Sequence, residues 1–264
     1  STQGVSSAAS DVYKRQSVYT GGAGNGSSQI MRDRHVLVTG SSSGIGRAIT
    51  EHLLKSGATV IGIARNHNKY QPNSDNYKTF DVDVSDLKTL PSSLKDILSE
   101  YPKLDGLVSN AGYGQFGGLE NNSADQIYSY ICANLTSHMV TTRMVLPHFK
   151  AQKRGDIVYI GSEAALDGGK KGSLYCAAKF GLRGFSQSLR EECATTNVRV
   201  SIINPGMVRT EFFQNLDFRP GNETVNAIEP DDVALAAIGV FSARQGTVID
   251  EINLTPLKKA ISFD

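Results

Sequence analysis

What most limits the folds open to this chain is an eight-residue run, Thr39-Gly-Ser-Ser-Ser-Gly-Ile-Gly46, set between stretches of opposite periodicity. Before it, His35–Thr39 is short and apolar, like a strand; after it, Ile45–Ser56 has helical spacing. Glycines let the backbone turn tightly and approach another group closely. A helix that begins there offers unpaired N–H groups and the positive end of its dipole, which together suit a pyrophosphate. The spacing is Gly-x-x-x-Gly-x-Gly rather than the commoner Gly-x-Gly-x-x-Gly. An ordinary strand-to-helix turn could also hold three glycines. Position favours the nucleotide reading, directly after the first strand and directly before a helix.

The alternation continues along the chain. Ala58–Ala64, Tyr77–Val84 and Leu104–Ser109 read as the second, third and fourth strands, with a helix near Asp86–Glu100. Ser123–Gln152 reads as one long helix, with Pro147 near its end as a kink or terminus. Asp156–Gly161 is a fifth strand and Ser173–Ala194 a helix. Val198–Asn204 is a sixth strand, stopped by Pro205-Gly206. A helix over Pro230–Ser242 and a strand near Thr247–Leu254 complete the pattern. It predicts an α/β fold: one Rossmann-type domain over residues 31–264, a doubly wound parallel sheet of about seven strands with helices on both faces. Residues 1–30 are rich in Ser, Gly, Thr and Ala and carry neither period, so they are expected to be disordered. Within them, Val5–Gln16 resembles a translated sequencing-adaptor fragment of metagenomic assemblies, so the segment is treated as artefactual and kept out of the fold argument.

Bulk properties exclude several function classes. A net charge of +1 gives no general attraction to nucleic acid or anionic membranes, and no basic run exceeds two residues. No stretch approaches the roughly 18 apolar residues of a membrane span. Cys132, Cys176 and Cys193 are odd in number and irregular in spacing. This argues against a disulfide framework and points to a reducing, cytoplasmic location. Neither the cysteines nor His52, His138 and His148 have metal-ligand spacing, so no metal is expected.

The second strand ends at Ala64-Arg65, where an NAD site would place an acid for the ribose 2′-hydroxyl. A carboxylate would repel a 2′-phosphate, whereas Arg65 can pair with it, so NADP(H) is preferred, with NAD(H) as the second possibility. A solvated strand-end arginine is the plainer account. In Asp81-Val-Asp-Val-Ser-Asp86, Asp83 is placed to accept from the adenine amino group with Val84 on the ring, and Asp86 to N-cap the next helix. Tyr175 and Lys179 stand four apart on one helical face. A nearby ammonium would stabilise a phenolate and draw the tyrosine pKa towards neutrality. About 0.5 such pairs are expected by chance in a chain with ten tyrosines, so the spacing alone proves nothing. Its weight comes from company: Ser162 after the fifth strand, Asn110 after the fourth, Asn134 within the long helix, and Pro205-Gly206 followed by Thr210.

Together these residues resemble the short-chain dehydrogenase/reductase family over roughly residues 33–255. The shared motifs are Thr-Gly-x-x-x-Gly-Ile-Gly at 39–46, Asn-Ala-Gly at 110–112, Tyr-x-x-x-Lys at 175–179 and Pro-Gly at 205–206. The resemblance implies that Tyr175 is general acid in reduction and base in oxidation. Lys179 would lower its pKa and hold the nicotinamide ribose, Ser162 would orient the substrate oxygen, and Asn134 would sustain a water relay to Lys179. Gly40, Ser42, Ser43, Gly44, Ile45 and Gly46 would cradle the cofactor, Asn110, Ala111 and Gly112 would flank it, and Pro205, Gly206, Val208 and Thr210 would contact its nicotinamide end. A homodimer or homotetramer is likewise implied.

Two places depart from the family pattern. Ser109 stands where many members carry Asn, with little expected consequence. The C-terminal Gly246–Leu257 lacks the usual Asp-Gly-Gly and is more like the branch acting on small 3-hydroxy acids such as serine. The function implied is interconversion of a carbonyl and a secondary alcohol of a small molecule. The alternatives are a non-catalytic NAD(P)-sensing regulator of the same fold, or an NAD-dependent enzyme of acyl, sugar or steroid alcohols. Loops 113–121, 163–172 and 207–229 would wall the pocket. Phe212, Phe213 and Phe218 would form either a lid or core packing. Lys170-Lys171 would be a solvated loop or, less favoured, a contact to an anionic substrate.

Overall fold

A computed structural model describes residues 31–263; the expectations for residues 1–30 lie outside it. The elements run β1 (His35–Thr39), α1 (Gly44–Lys55), β2 (Thr59–Ala64), β3 (Tyr77–Asp81), α2 (Leu90–Glu100), β4 (Gly106–Ser109), α3 (Ala124–Ile131), α4 (Ser137–Ala151), β5 (Gly155–Ile160), α5 (Ser173–Cys193), β6 (Val198–Pro205), β7 (Phe218–Pro220), α6 (Pro230–Ser242), β8 (Glu251–Leu254) and β9 (Ile261–Phe263). Seven strands form one sheet in the order β3-β2-β1-β4-β5-β6-β8, and every pairing in it is parallel. Chain order reverses between β1 and β4, and it is beyond the carboxyl ends of strands at such a point that open α/β sheets bind ligands.

The strands read as continuous apolar runs because both faces are covered. Val36 and Val38 of β1 point to α1 and α6, where they meet Ile49, Leu53, Val233, Ala237 and Phe241. Leu37, between them, points the other way, towards Leu94, Ile97, Val145, Phe149 and Leu182 of α2, α4 and α5. Each such side chain, once fully buried, contributes about 1.5–3 kcal/mol.

At the sheet's amino edge lies a buried ionic cluster. Arg34 contacts Asp105 at 2.9 Å and Asp156 at 2.6 Å, and Arg199 contacts Asp156 at 2.5 Å. Arg199 also donates to the carbonyls of Ala243 and Phe241 at 2.8 and 3.3 Å. The four side chains are at most 10% exposed; Arg34 Nε is ion-paired with Asp105 but makes no aligned hydrogen bond.

Three expectations are corrected. The long helix is present from Ala124 to Ala151 but is not uniform, since a π-turn at Cys132–Thr136 divides α3 from α4. Pro147 neither ends nor precedes a break: α4 runs four residues past it. And α2 starts at Leu90 rather than Asp86. Thr89 is its N-cap residue, while Asp86 closes the preceding turn, accepting from the Lys88 N–H (3.1 Å) and the Thr89 hydroxyl (2.8 Å). The antiparallel pair β7–β9 carried no readable sequence pattern; its three-residue strands are too short to show a period.

Candidate active site

The glycine loop has the shape its sequence asks for. Gly40 and Gly44 adopt φ of 69° and 50°, the left-handed region that side chains disfavour. A Cβ on Gly46 would collide with the Gly40 carbonyl and come within 2.5 Å of Asn110 Nδ2. Ser43, the N-cap of α1, makes no capping bond with its side chain, and the first turn holds no acid. The helix end is thus open to an anion, and the cradle fits a dinucleotide pyrophosphate. Thr210 reaches the loop from beyond β6, with its methyl 3.4 Å from where a Gly44 Cβ would be.

Asn110 ties the ends of β1 and β4 together. Its Nδ2 donates to the Thr39 carbonyl (3.0 Å), while the N–H groups of Asn110 and Ala111 donate to the Thr39 hydroxyl (2.8 and 2.9 Å). Gly112 is required by its neighbour: a Cβ there would lie 2.7 Å from Asn134 Oδ1. Asn134 sits in the π-turn with its amide committed to the backbone at both ends. It accepts from the Tyr113 N–H (2.9 Å) and donates to the Tyr130 carbonyl (3.1 Å).

Ser162, just past β5, accepts from the Ala164 N–H at 3.2 Å. Its own O–H is left for the Tyr175 hydroxyl, to which it is hydrogen-bonded. Lys179 is buried and donates to the Ile160 carbonyl at 3.0 Å, with Nζ 5.8 Å from the Tyr175 ring centroid. The expected pull on the phenol is not what results. Burial pushes Tyr175 up to about 12, outweighing the Ser162 bond, and burial pulls Lys179 down to about 8. Both groups are desolvated, and the ammonium faces a carbonyl rather than the phenol oxygen.

Towards the adenosine end, Arg65 is exposed one residue beyond β2. Asp83 accepts at one oxygen from the Ser85 N–H and hydroxyl (2.9 and 2.6 Å). Val84 is half-buried against the α2 side of the core rather than standing free as a platform. Val208 is buried and bridged to Ile228, and Gly206 donates to the Leu254 carbonyl (2.8 Å).

Sequence reasoning missed several neighbours. His67 bridges Ser41 (Nε2, 3.2 Å) and Asp81 (Nδ1, 2.8 Å), and Tyr77 donates to Ser41 at 3.0 Å. The Ser-His-Asp order is not hydrolytic here, because Ser41 is fully buried behind the glycine loop. His138 is buried with Nδ1 2.7 Å from Ser109, and desolvation, then the Lys179 charge, hold its pKa down at about 3. The Ser109 departure therefore does have a consequence: it makes room for, and pairs with, a neutral histidine. Phe116 and Phe212 pack on Tyr175 with ring centroids 5.2 and 5.9 Å away, and Phe218 on Phe116 at 5.0 Å. Of the 207–229 phenylalanines, Phe212 contacts the tyrosine directly, while Phe218 and Phe213 pack behind Phe116 and Phe212.

Known proteins resemble this chain in family and fold. The profile of the family described as short chain dehydrogenase matches residues 34–220. An NADP-dependent 3-hydroxy acid dehydrogenase of Schizosaccharomyces pombe is 31% identical over 241 residues, 84% of this chain and 92% of the relative. A 3-oxoacyl-acyl-carrier-protein reductase of Escherichia coli is 36% identical over 184 residues, 68% of this chain and 75% of the relative. Among solved structures, the closed form of a serine dehydrogenase complexed with NADP+ superposes with a TM-score of 0.73 at 28% identity, covering 83% of this chain and 94% of that one.

Proposed function

The chain belongs to the short-chain dehydrogenase family and is an NAD(P)-dependent oxidoreductase; on that premise we propose that it interconverts a carbonyl and a secondary alcohol with NADP(H), on small 3-hydroxy acids, using Tyr175 as general acid/base. The observation that carries the reading is the cluster of Ser162, Tyr175 and Lys179 at the carboxyl edge, beside a glycine cradle shaped for a dinucleotide. A bound nicotinamide would supply or accept the hydride at the substrate carbon.

The residues divide the rest of the work. In reduction, Tyr175 gives its proton to the oxygen as negative charge develops there, and a phenol held near 12 is in its protonated, donating form at neutral pH. Ser162 fixes the phenol and can turn its O–H to the same oxygen. In oxidation Tyr175 takes the proton back, and there Lys179 supplies the charge that makes a phenolate tolerable in a dry site. Asn134 holds the 112–113 backbone beside the cofactor, and the relay to Lys179 is assigned to its turn. Phe116 and Phe212 exclude water from the phenol.

The substrate assignment draws on the 3-hydroxy acid and serine dehydrogenases named above, and the NADP(H) preference on those relatives and on Arg65, which follows Ala64 at the position where an NAD site carries an acid. Tyr175→Phe should retain NADP+ binding, read by fluorescence titration, while turnover falls about 10²- to 10⁴-fold. Undiminished turnover in that variant overturns the assignment. A 3-hydroxy acid panel followed at the absorbance of the reduced nicotinamide tests the substrate class.

A further inference from the structure

Directly after Ser162, and so at the wall of the same site, stands a carboxylate that the reaction does not use. Glu163 opens a short 3-10 turn, and its Oε2 lies 3.1 Å from where a Gly206 Cβ would be. Its charge bears on Tyr175, opposing the phenolate. An acidic group there would also repel an acidic substrate. It is answered from the far end of the chain, where Lys259 Nζ sits 2.6 Å from Glu163 Oε2.

The segment that carries Lys259 is fixed rather than trailing. Lys258 donates its N–H to Val225 (3.0 Å) and accepts from Asn226 Nδ2 (3.1 Å), Ala260 accepts from the Gly221 N–H (2.9 Å), and β9 then pairs with β7. Lys259 is thus bracketed by anchored neighbours on both sides. Its side chain is 65% exposed, and one partner occupies only one of an ammonium's three donors. Two other cations near the site are engaged. Lys179 is buried on Ile160, and Arg209 is spent on Glu229 and on the carbonyls of Gly221 and Glu223. A half-exposed ion pair adds little to stability, so it can rearrange around a ligand at small cost.

We propose that Lys259 is the anion-receiving residue of the substrate pocket, binding the carboxylate of a hydroxy or oxo acid while Glu163 holds the ammonium at the pocket wall. The inference rests on the carbonyl–alcohol reading above and assigns its specificity to a residue from the C-terminal segment.

The test compares a 3-hydroxy acid with its methyl ester in the full-length protein, as the ratio of the two kcat/KM values. Lys259→Gln should lower the acid-to-ester ratio at least about tenfold, the scale of one charge-assisted hydrogen bond, and Lys259→Arg should restore most of it. A residue that only staples the segment would change acid and ester alike; an unchanged ratio in Lys259→Gln therefore overturns the assignment, as does an equal drop in Lys171→Gln. If wild-type protein turns over neutral alcohols but no acid, the 3-hydroxy acid reading falls along with this one. If it turns over acids regardless of residue 259, only this one falls.

Discussion

Lys179 keeps an ammonium where water scarcely reaches, and the cost shows in its pKa. The ordinary lysine value of 10.5 falls to about 8 because the charged form is desolvated, which at about 1.4 kcal/mol per tenfold corresponds to about 3 kcal/mol of lost stability at pH 7. Between about 8 and 10.5 the unfolded chain still binds this proton while the folded one has released it, so the lost stability is regained as pH rises through that window. Lys179→Met should therefore abolish turnover yet raise stability by about 2 kcal/mol at pH 7, allowing about 1 kcal/mol for the orphaned Ile160 carbonyl. Urea denaturation from pH 7 to 10 should show the gap between variant and wild type closing. Arg65 poses a different residue-scale question. Its guanidinium is exposed, so Arg65→Ala should leave the fold intact. It should cost about tenfold or more in kcat/KM with NADP(H) and much less with NAD(H); equal losses with both would remove Arg65 from phosphate recognition.

Among the elements, the β1–α1 connection shows most directly how packing fixes a ligand site. Gly46 is needed less for its own φ than because the Gly40 carbonyl and the Asn110 amide occupy the space a side chain would take. Gly46→Ala should destabilise by about 1–3 kcal/mol in urea and weaken NADP+ binding in the same variant, since relief requires the loop to move. This loop was legible in the sequence, as were all seven strands of the main sheet and the residues after β4, β5 and β6, because glycine spacing and buried apolar runs are local signals. The π-turn inside the 123–152 helix was not. Nothing in Cys132–Thr136 departs from helical composition, and the π-turn is held by a tertiary bond, the Tyr113 N–H donating to Asn134 Oδ1, beside a local one from the Ser137 hydroxyl to the Ala133 carbonyl. The pairings of His67 with Ser41 and of His138 with Ser109 were hidden for a related reason: they join residues 26 and 29 apart, and neither histidine carries a mark of its partner. Direction of the Tyr175 shift was misjudged because spacing places Lys179 on the right face but says nothing of how dry that face is.

Across the whole molecule, the two ends of the same strands carry separate tasks. Asp156 near the start of β5 neutralises Arg34 and Arg199, while the other end of β5 leads into Ser162. Asp156→Ala leaves Arg199 buried without a carboxylate and Arg34 with Asp105 alone, and should cost about 3–5 kcal/mol. Below its melting temperature the variant should keep the wild-type KM for NADP(H), read in steady-state assays; a raised KM would show that the ionic cluster reaches the site. Chain order scatters the expected pocket walls over segments 113–121, 163–172 and 207–229, with 258–263 fastened to the last of these. None of these segments supplies a charged group to the Arg34–Asp105–Asp156–Arg199 cluster. For anyone seeking new substrates, saturation libraries can thus be confined to four short windows, two of which must be varied together because β7 and β9 share a ladder. Variants drawn from the 207–229 and 258–263 windows together would re-dress the proposed wall of the pocket while every strand of the parallel sheet, and every residue proposed to handle the proton, stays as it is.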